Sequence, residues 1–162
     1  MTDTTTDDRA KQQAMAQMAN IEVLVHRLQH VEDCKNDHTC TLDDGTLTAA
    51  LDYGRNDHVK AREDYHDYEK TMETIQDDPI HVEVRSGWHI PGAEIDSHNE
   101  EYNILFCTGG PAVRIIGGLD EYNEPQSATL EYQDWGTPWT ELKEANEDTL
   151  LQYANCFYFG EF

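Results

Sequence analysis

The apolar residues change their period at Pro79, and a chain that does so is neither all helix nor all sheet. Before that proline, Ala14, Met18, Ile21, Val25 and Leu28 recur at steps of four and three residues, as do Ala61, Tyr65, Tyr68, Met72 and Ile75. Such steps keep side chains on one stripe of an α-helix and predict helices over about 8–33 and 57–76. After it, Ile80, Val82 and Val84 alternate with His81, Glu83 and Arg85, the two-residue period of a strand with one covered face. The segment "NILFCTGGPAVRIIGGLDEYNEPQSATLEYQD" predicts three more strands, at 103–108, 112–118 and 127–133, with turns at Gly109-Gly110-Pro111 and at 123–125. Helical spacing returns through Leu142, Ala145, Leu150, Tyr153 and Ala154, with acids near the start, where the helix dipole favours them.

The expected fold is therefore α+β: an N-terminal helical hairpin, a four-stranded antiparallel β-meander and a C-terminal helix. A length of 162 residues suits a single domain, helical over 1–78 and sheet plus final helix over 79–162. The connection between the first two helices carries Asp44-Gly45 and Gly54-Arg55-Asn56 turn signals and is expected to hold a short element around Leu47 to Leu51. Each helical stripe covers about two heptads, fewer than the three or four of a coiled-coil seam, so a homodimer through the helices is left open, and an acidic oligomeric structural protein assembled through them is a further alternative.

Charge bears on partners more than on fold. The chain has 33 acidic and 11 basic residues, a formal net charge of -22, which repels nucleic acid and anionic membranes and directs attention to a basic partner. Residues 80–162 contain only three bases, Arg85, Arg114 and Lys143. No basic segment followed by an apolar run opens the chain, and no stretch nears the roughly 20 apolar residues of a membrane span, so a cytoplasmic location is expected. Four cysteines, at 34, 40, 107 and 156, are too sparse for a disulfide scaffold and fit a reducing compartment.

The densest group of ligand-capable side chains is "HVEDCKNDHTC", with His30, Cys34, His38 and Cys40 within eleven residues. Zinc takes such ligands, but structural sites usually pair two ligand knuckles separated by a dozen or more residues. Solvated histidines and ordinary thiols are the favoured reading, no cofactor is assigned, and a small metal-binding or enzymatic accessory factor is the alternative. In "RSGWHIPG", His89 beside Trp88 suggests an imidazole base, yet no nucleophile or orienting group completes a site. The glycines of "CTGGPAV" lack the Lys-Ser/Thr of a phosphate loop and lead into a strand. Carboxylates are too abundant for a glycosidase pair to be singled out. The chain is read as a non-enzyme.

Two stretches concentrate acid without any base. Glu94, Asp96, Glu100 and Glu101 form one, and Asp120, Glu121, Glu124, Glu131 and Asp134 the other. Same-side carboxylates on a strand lie about 6.5–7 Å apart, close to the phosphate spacing of nucleic acid, so these acids, with Tyr122 and Tyr132 as aromatic neighbours, are candidate contacts for a nucleic-acid-binding protein. An acidic coat serving solubility or life in high salt is the competing account. Charge-reversal of Asp120, Glu121 and Glu124 is the expected way to abolish binding without unfolding. In "LEYQDWGTPWTEL", Leu130 and Tyr132 fit the covered face of the last strand, Glu131 points away, and Trp135 and Trp139 are expected to wedge the Gly136-Pro138 turn against sheet and helix.

The blocks "CTGGPAVRI" and "LEYQDWGTPWTE" resemble a family of small proteins carried by bacteriophages, plasmids and genomic islands, over roughly residues 80–162. That resemblance implies a cytoplasmic inhibitor of a host defence complex, of the anti-CRISPR or anti-restriction type. Its partner would be a CRISPR effector or restriction enzyme whose nucleic-acid-binding surface it occupies as a DNA mimic, with no direct contact to nucleic acid or membrane. It implies no catalytic residues.

Overall fold

The computed structural model describes residues 4–34, 40, 58–88, 90–92 and 99–160. Its elements in order are α1 (Thr4–Asp33), α2 (His58–Tyr65), α3 (Tyr68–Asp77), β1 (His81–Arg85), β2 (Glu101–Cys107), β3 (Ala112–Gly118), β4 (Thr129–Gln133), β5 (Thr140–Glu141) and α4 (Glu147–Ala154). The connection from α1 to α2, with the element expected around Leu47 to Leu51, lies outside the described residues.

The five strands form one antiparallel sheet in the order β1-β2-β3-β4-β5. Alternation along β2, β3 and β4 sends Tyr102, Ile104, Phe106, Val113, Ile115, Leu130 and Tyr132 to one face, where all are buried. The register places Ile115 opposite both Ile104 and Leu130, so a row of branched side chains crosses the middle of the sheet, each stabilising by about 1.5–3 kcal/mol. Helix α1 lies over β3 and β4 and touches α3 and α4. Its predicted stripe enters the same cluster: Ala14, Met18, Ile21 and Val25 are buried and Leu28 is half-buried.

Several sequence expectations change. The second helix is split, because Asp67 is extended (φ -94, ψ 109) and its carboxylate caps α3 by accepting the Lys70 N–H, the competition with helical backbone for which Asp is suited. The break shifts the phase, so Tyr68 is exposed and Thr71 is buried in its place. The sheet has five strands rather than four, since Gly136 (φ 74) turns the chain and β5 returns beside β4 with Glu141 opposite Glu131. Two residues are too few for alternation to announce a strand.

β1 has no covered face. All five of its residues are exposed, because it is the sheet edge while α1 covers β3 and β4. The final helix begins at Glu147 with Asn146 as its cap, accepting the Thr149 N–H at 3.1 Å. Leu142 and Ala145 reach the core from a turn instead, and Leu142 donates its N–H to the Leu130 carbonyl. Trp135 is 80% exposed and its Nε1–H donates to the Gly109 carbonyl, so it bridges two loops rather than filling the core. Trp139 is half-buried beneath Arg114, whose guanidinium carbon lies 4.0 Å from its ring centre.

Polar contacts tie the helices together. Asp78, the C-cap of α3, accepts from Gln17 (3.0 Å) and Asn20 (3.1 Å) of α1 and from the Tyr153 hydroxyl of α4 at 2.7 Å. Burial first, then the Asp78 charge, raises the Tyr153 phenol above its ordinary range, so it keeps the proton it donates.

Candidate functional site

The described end of the first base-free acidic stretch, Asn99 to Glu101, meets the start of the second at one end of the sheet. Asn99 donates its backbone N–H to Asn123 Oδ1 at 3.0 Å, and Leu119 donates its N–H to the Glu100 carbonyl at 2.8 Å. These bonds seat Glu100 beside the turn that carries Glu121, Tyr122 and Glu124, all exposed. The turn is built by Asp120, whose Oδ1 accepts the N–H groups of Tyr122 (2.8 Å) and Glu124 (2.9 Å), and by Asn123 at φ 61, a conformation that Asn tolerates better than most residues. Asn99 Nδ2 also donates to the Phe159 carbonyl at 2.8 Å. Trp88, fully exposed, follows Gly87, whose Cα faces the Glu100 carboxylate.

Other predicted contacts are not part of this end. Glu94 and Asp96 lie outside the described residues. Glu101 is ion-paired with Arg85, and that bond holds its carboxyl below the usual range. Glu131, expected to be uncompensated, accepts from Arg114 Nε (3.0 Å) and Nη2 (2.9 Å). Asp134 lies past the far end of β4, where it accepts the Trp135 N–H. Tyr132 is buried. The open face of the sheet holds a groove of about 480 Å³ lined by both of these arginines, each engaged by a neighbouring glutamate.

A second constellation stands at the end of α1. His30 occupies its last turn, and Cys34 follows, donating its N–H to the His30 carbonyl at 2.7 Å. His66 sits in the break between α2 and α3. One ligand atom from each of His30, Cys34, Cys40 and His66 lies within 4.8 Å of the others. The two Nε2 atoms are 3.1 Å apart, and Cys40 Sγ is 3.4 Å from His30 Nε2. His66 Nδ1 is 2.7 Å from the Arg62 carbonyl; a carbonyl only accepts, so Nδ1 carries a proton, and in the neutral ring Nε2 is then the nitrogen that presents a lone pair to the cluster. Burial, with His66 and His26 nearby, lowers the His30 pKa against the opposing pull of Asp33, favouring neutral imidazole. Tyr65, 2% exposed, walls the site, its ring centre 5.1 Å from that of His30.

The structure thus brings together three of the four ligands read from the sequence and adds His66. His38 lies outside the described residues, as does His89. His66 was missed because it is remote in sequence and sits in a segment read as continuous helix; the polar pair His66-Asp67 in the middle of an apolar stripe was the available signal. No cysteine is in a disulfide. No helix among the described residues is long and apolar enough to cross a membrane.

Fold and sites together define a mixed helix and antiparallel-sheet protein with an ordered acidic end and a separate thiol–imidazole cluster. Comparison with protein-family models, curated proteins and solved structures finds no match.

Proposed function

We propose that the protein is an anionic binding protein, working by occupancy rather than turnover, whose acidic end fits the nucleic-acid-binding surface of a basic partner. The observation that carries this reading is the junction of the two base-free stretches through Asn99–Asn123 and Glu100–Leu119. Glu100, Glu121 and Glu124 provide the charge, and exposed Tyr122 and Trp88 provide aromatic surface of the kind on which cationic side chains stack. Because Asp120 and Asn123 already order the turn, little conformational entropy remains to be lost on docking. The resemblance of residues 80–162 to proteins of mobile elements favours a host defence complex as the partner, a CRISPR effector or a restriction enzyme in the bacterial cytoplasm.

The test is capture of partners from host lysate by the full chain, at low and high salt, beside the triple variant E100K/E121K/E124K. Asp120 is left unchanged because its carboxylate holds the turn. The wild type should retain basic nucleic-acid-binding proteins at low salt and release them near 1 M, where the screening length falls to about 3 Å. The variant should keep the wild-type circular dichroism and bind at least about tenfold more weakly. Undiminished binding by the variant would falsify this assignment. So would unfolding of the wild type at low ionic strength, the mark of acidity that serves solvation in high salt.

A further inference from the structure

We infer that His30, Cys34, Cys40 and His66 form a structural zinc site that fastens the C-terminal end of α1 to the α2–α3 junction. Zinc binds thiolate sulfur at about 2.3 Å and imidazole nitrogen at about 2.0–2.1 Å. A tetrahedron of those radii sets two nitrogens roughly 3.3 Å apart and a sulfur and a nitrogen roughly 3.5 Å apart. The separations of 3.1 Å and 3.4 Å already match. Two cysteines and two histidines fill all four positions, the closed set of a structural rather than a catalytic site.

The surroundings fit the metal too. The Arg62 carbonyl orients His66 by holding its Nδ1–H, the outer partner that metal-ligating histidines generally have. Without a metal, a single hydrogen on His30 Nε2 would have to serve both His66 Nε2 and Cys40 Sγ. With zinc, Cys34 and Cys40 give up their thiol protons to solvent, and two thiolates with two neutral imidazoles balance the dication. Thiolate together with imidazole selects zinc over magnesium or calcium, which prefer oxygen.

The site also has a mechanical consequence. His66 is in the helix break, next to the cap residue Asp67, and Cys34 ends α1. Zinc would cross-link the end of α1, Cys40 and the α2–α3 junction, supplying folding free energy beside a core built by α1, α3, α4 and the sheet.

Untagged full-length protein made in zinc-supplemented cells should carry about one zinc per chain by elemental mass spectrometry. Protein stripped by a chelator should melt at a lower temperature and recover on addition of zinc. Cobalt(II) added to stripped protein should give the intense visible bands of a tetrahedral site and a thiolate-to-metal charge-transfer band. C34S and H66A should lose these signals, whereas H38A and C107A should keep them. Wild-type protein with less than about a tenth of a zinc per chain and no tetrahedral cobalt spectrum would overturn the proposal. Loss of metal in H38A with retention in H66A would do the same, as would a Cys34–Cys40 disulfide in protein isolated from reducing cells. The cobalt spectrum of the wild type decides the matter even where a ligand variant fails to fold.

Discussion

Asp120 shows how one residue type in an acidic stretch divides into different roles. Its carboxylate is occupied by two backbone N–H groups of its own turn, while Glu121 and Glu124 extend into solvent from the same turn. Glu131 is likewise internal business, held by Arg114, which in turn covers Trp139. Gly117 makes the opposite point, a small residue with a large constraint. A Cβ there would overlap the Ser127 carbonyl and the Tyr102 ring, and Tyr102 donates its hydroxyl to that same carbonyl at 2.7 Å. Gly117→Ala should therefore lower stability by about 1–3 kcal/mol in urea denaturation. Gly118→Ala, whose Cβ meets nothing nearer than Ser127 Oγ at 3.6 Å, should change it by less than about 1 kcal/mol. Equal effects would mean that the close approach at Gly117 is not the constraint.

At the scale of elements, the break between α2 and α3 is the most consequential irregularity. It puts His66 opposite His30, returns Ile75 to the core and leaves Tyr68 outside. Asp67 maintains it through its 3.0 Å bond to the Lys70 N–H, and its carbonyl takes the Thr71 hydroxyl at 2.7 Å. Asp67→Ala should cost about 1 kcal/mol, read by urea denaturation, and Asp67→Asn, which keeps a capping oxygen, should restore most of it. If the asparagine variant is as weak as the alanine one, the cap is not what holds α3. The edge strand β1 shows how tertiary position overrides pattern. Its alternation is regular, and Val82 and Val84 pair with buried Ile104 and Tyr102, yet both remain exposed because α1 lies over β3 and β4 and not over this edge.

For the whole molecule, the charge of -22 sets the long-range field, and buried neutral groups set the response to alkali. Burial, then the charge of Glu32, pushes the Cys156 thiol from an ordinary 9.0 up to about 11. Burial also raises the phenols of Tyr102 and Tyr153 above their ordinary 10.0. In each case the folded state holds the proton more tightly than the unfolded chain, so stability falls as pH rises. This contribution is fully present below pH 9, is lost for Cys156 as pH climbs through about 11, and continues to fall beyond that through the tyrosines. Urea midpoints should decline steadily above pH 9, and Cys156→Ala should flatten the first part of that decline. A pH-independent midpoint between about 8 and 11 would contradict it.

Much of the architecture was legible as periodicity. Steps of three and four residues in α1, and the placing of Leu130 and Tyr132 on one side of β4, identified sides that are buried, because burial rewards the same face at every turn or pleat. Ala14, Ile21 and Leu130 could be assigned to the core on that basis. The two-residue strand β5 and the break at Asp67 were not legible, since a pattern needs several repeats before it shows. The acidic stretches could be named from composition, but not which acids are spoken for, because Arg114 and Glu131 become neighbours only through the register of β3 with β4.

By itself, then, the sequence determined the change from helix to sheet at Pro79, the apolar faces and the excess of negative charge, all of which depend on residues near one another in the chain. Tertiary structure alone decided that Glu100 stands beside Glu121 and Glu124, and that His66 joins His30, Cys34 and Cys40. Those neighbours are separated in the chain and meet through strand pairing and helix packing, which local spacing does not encode.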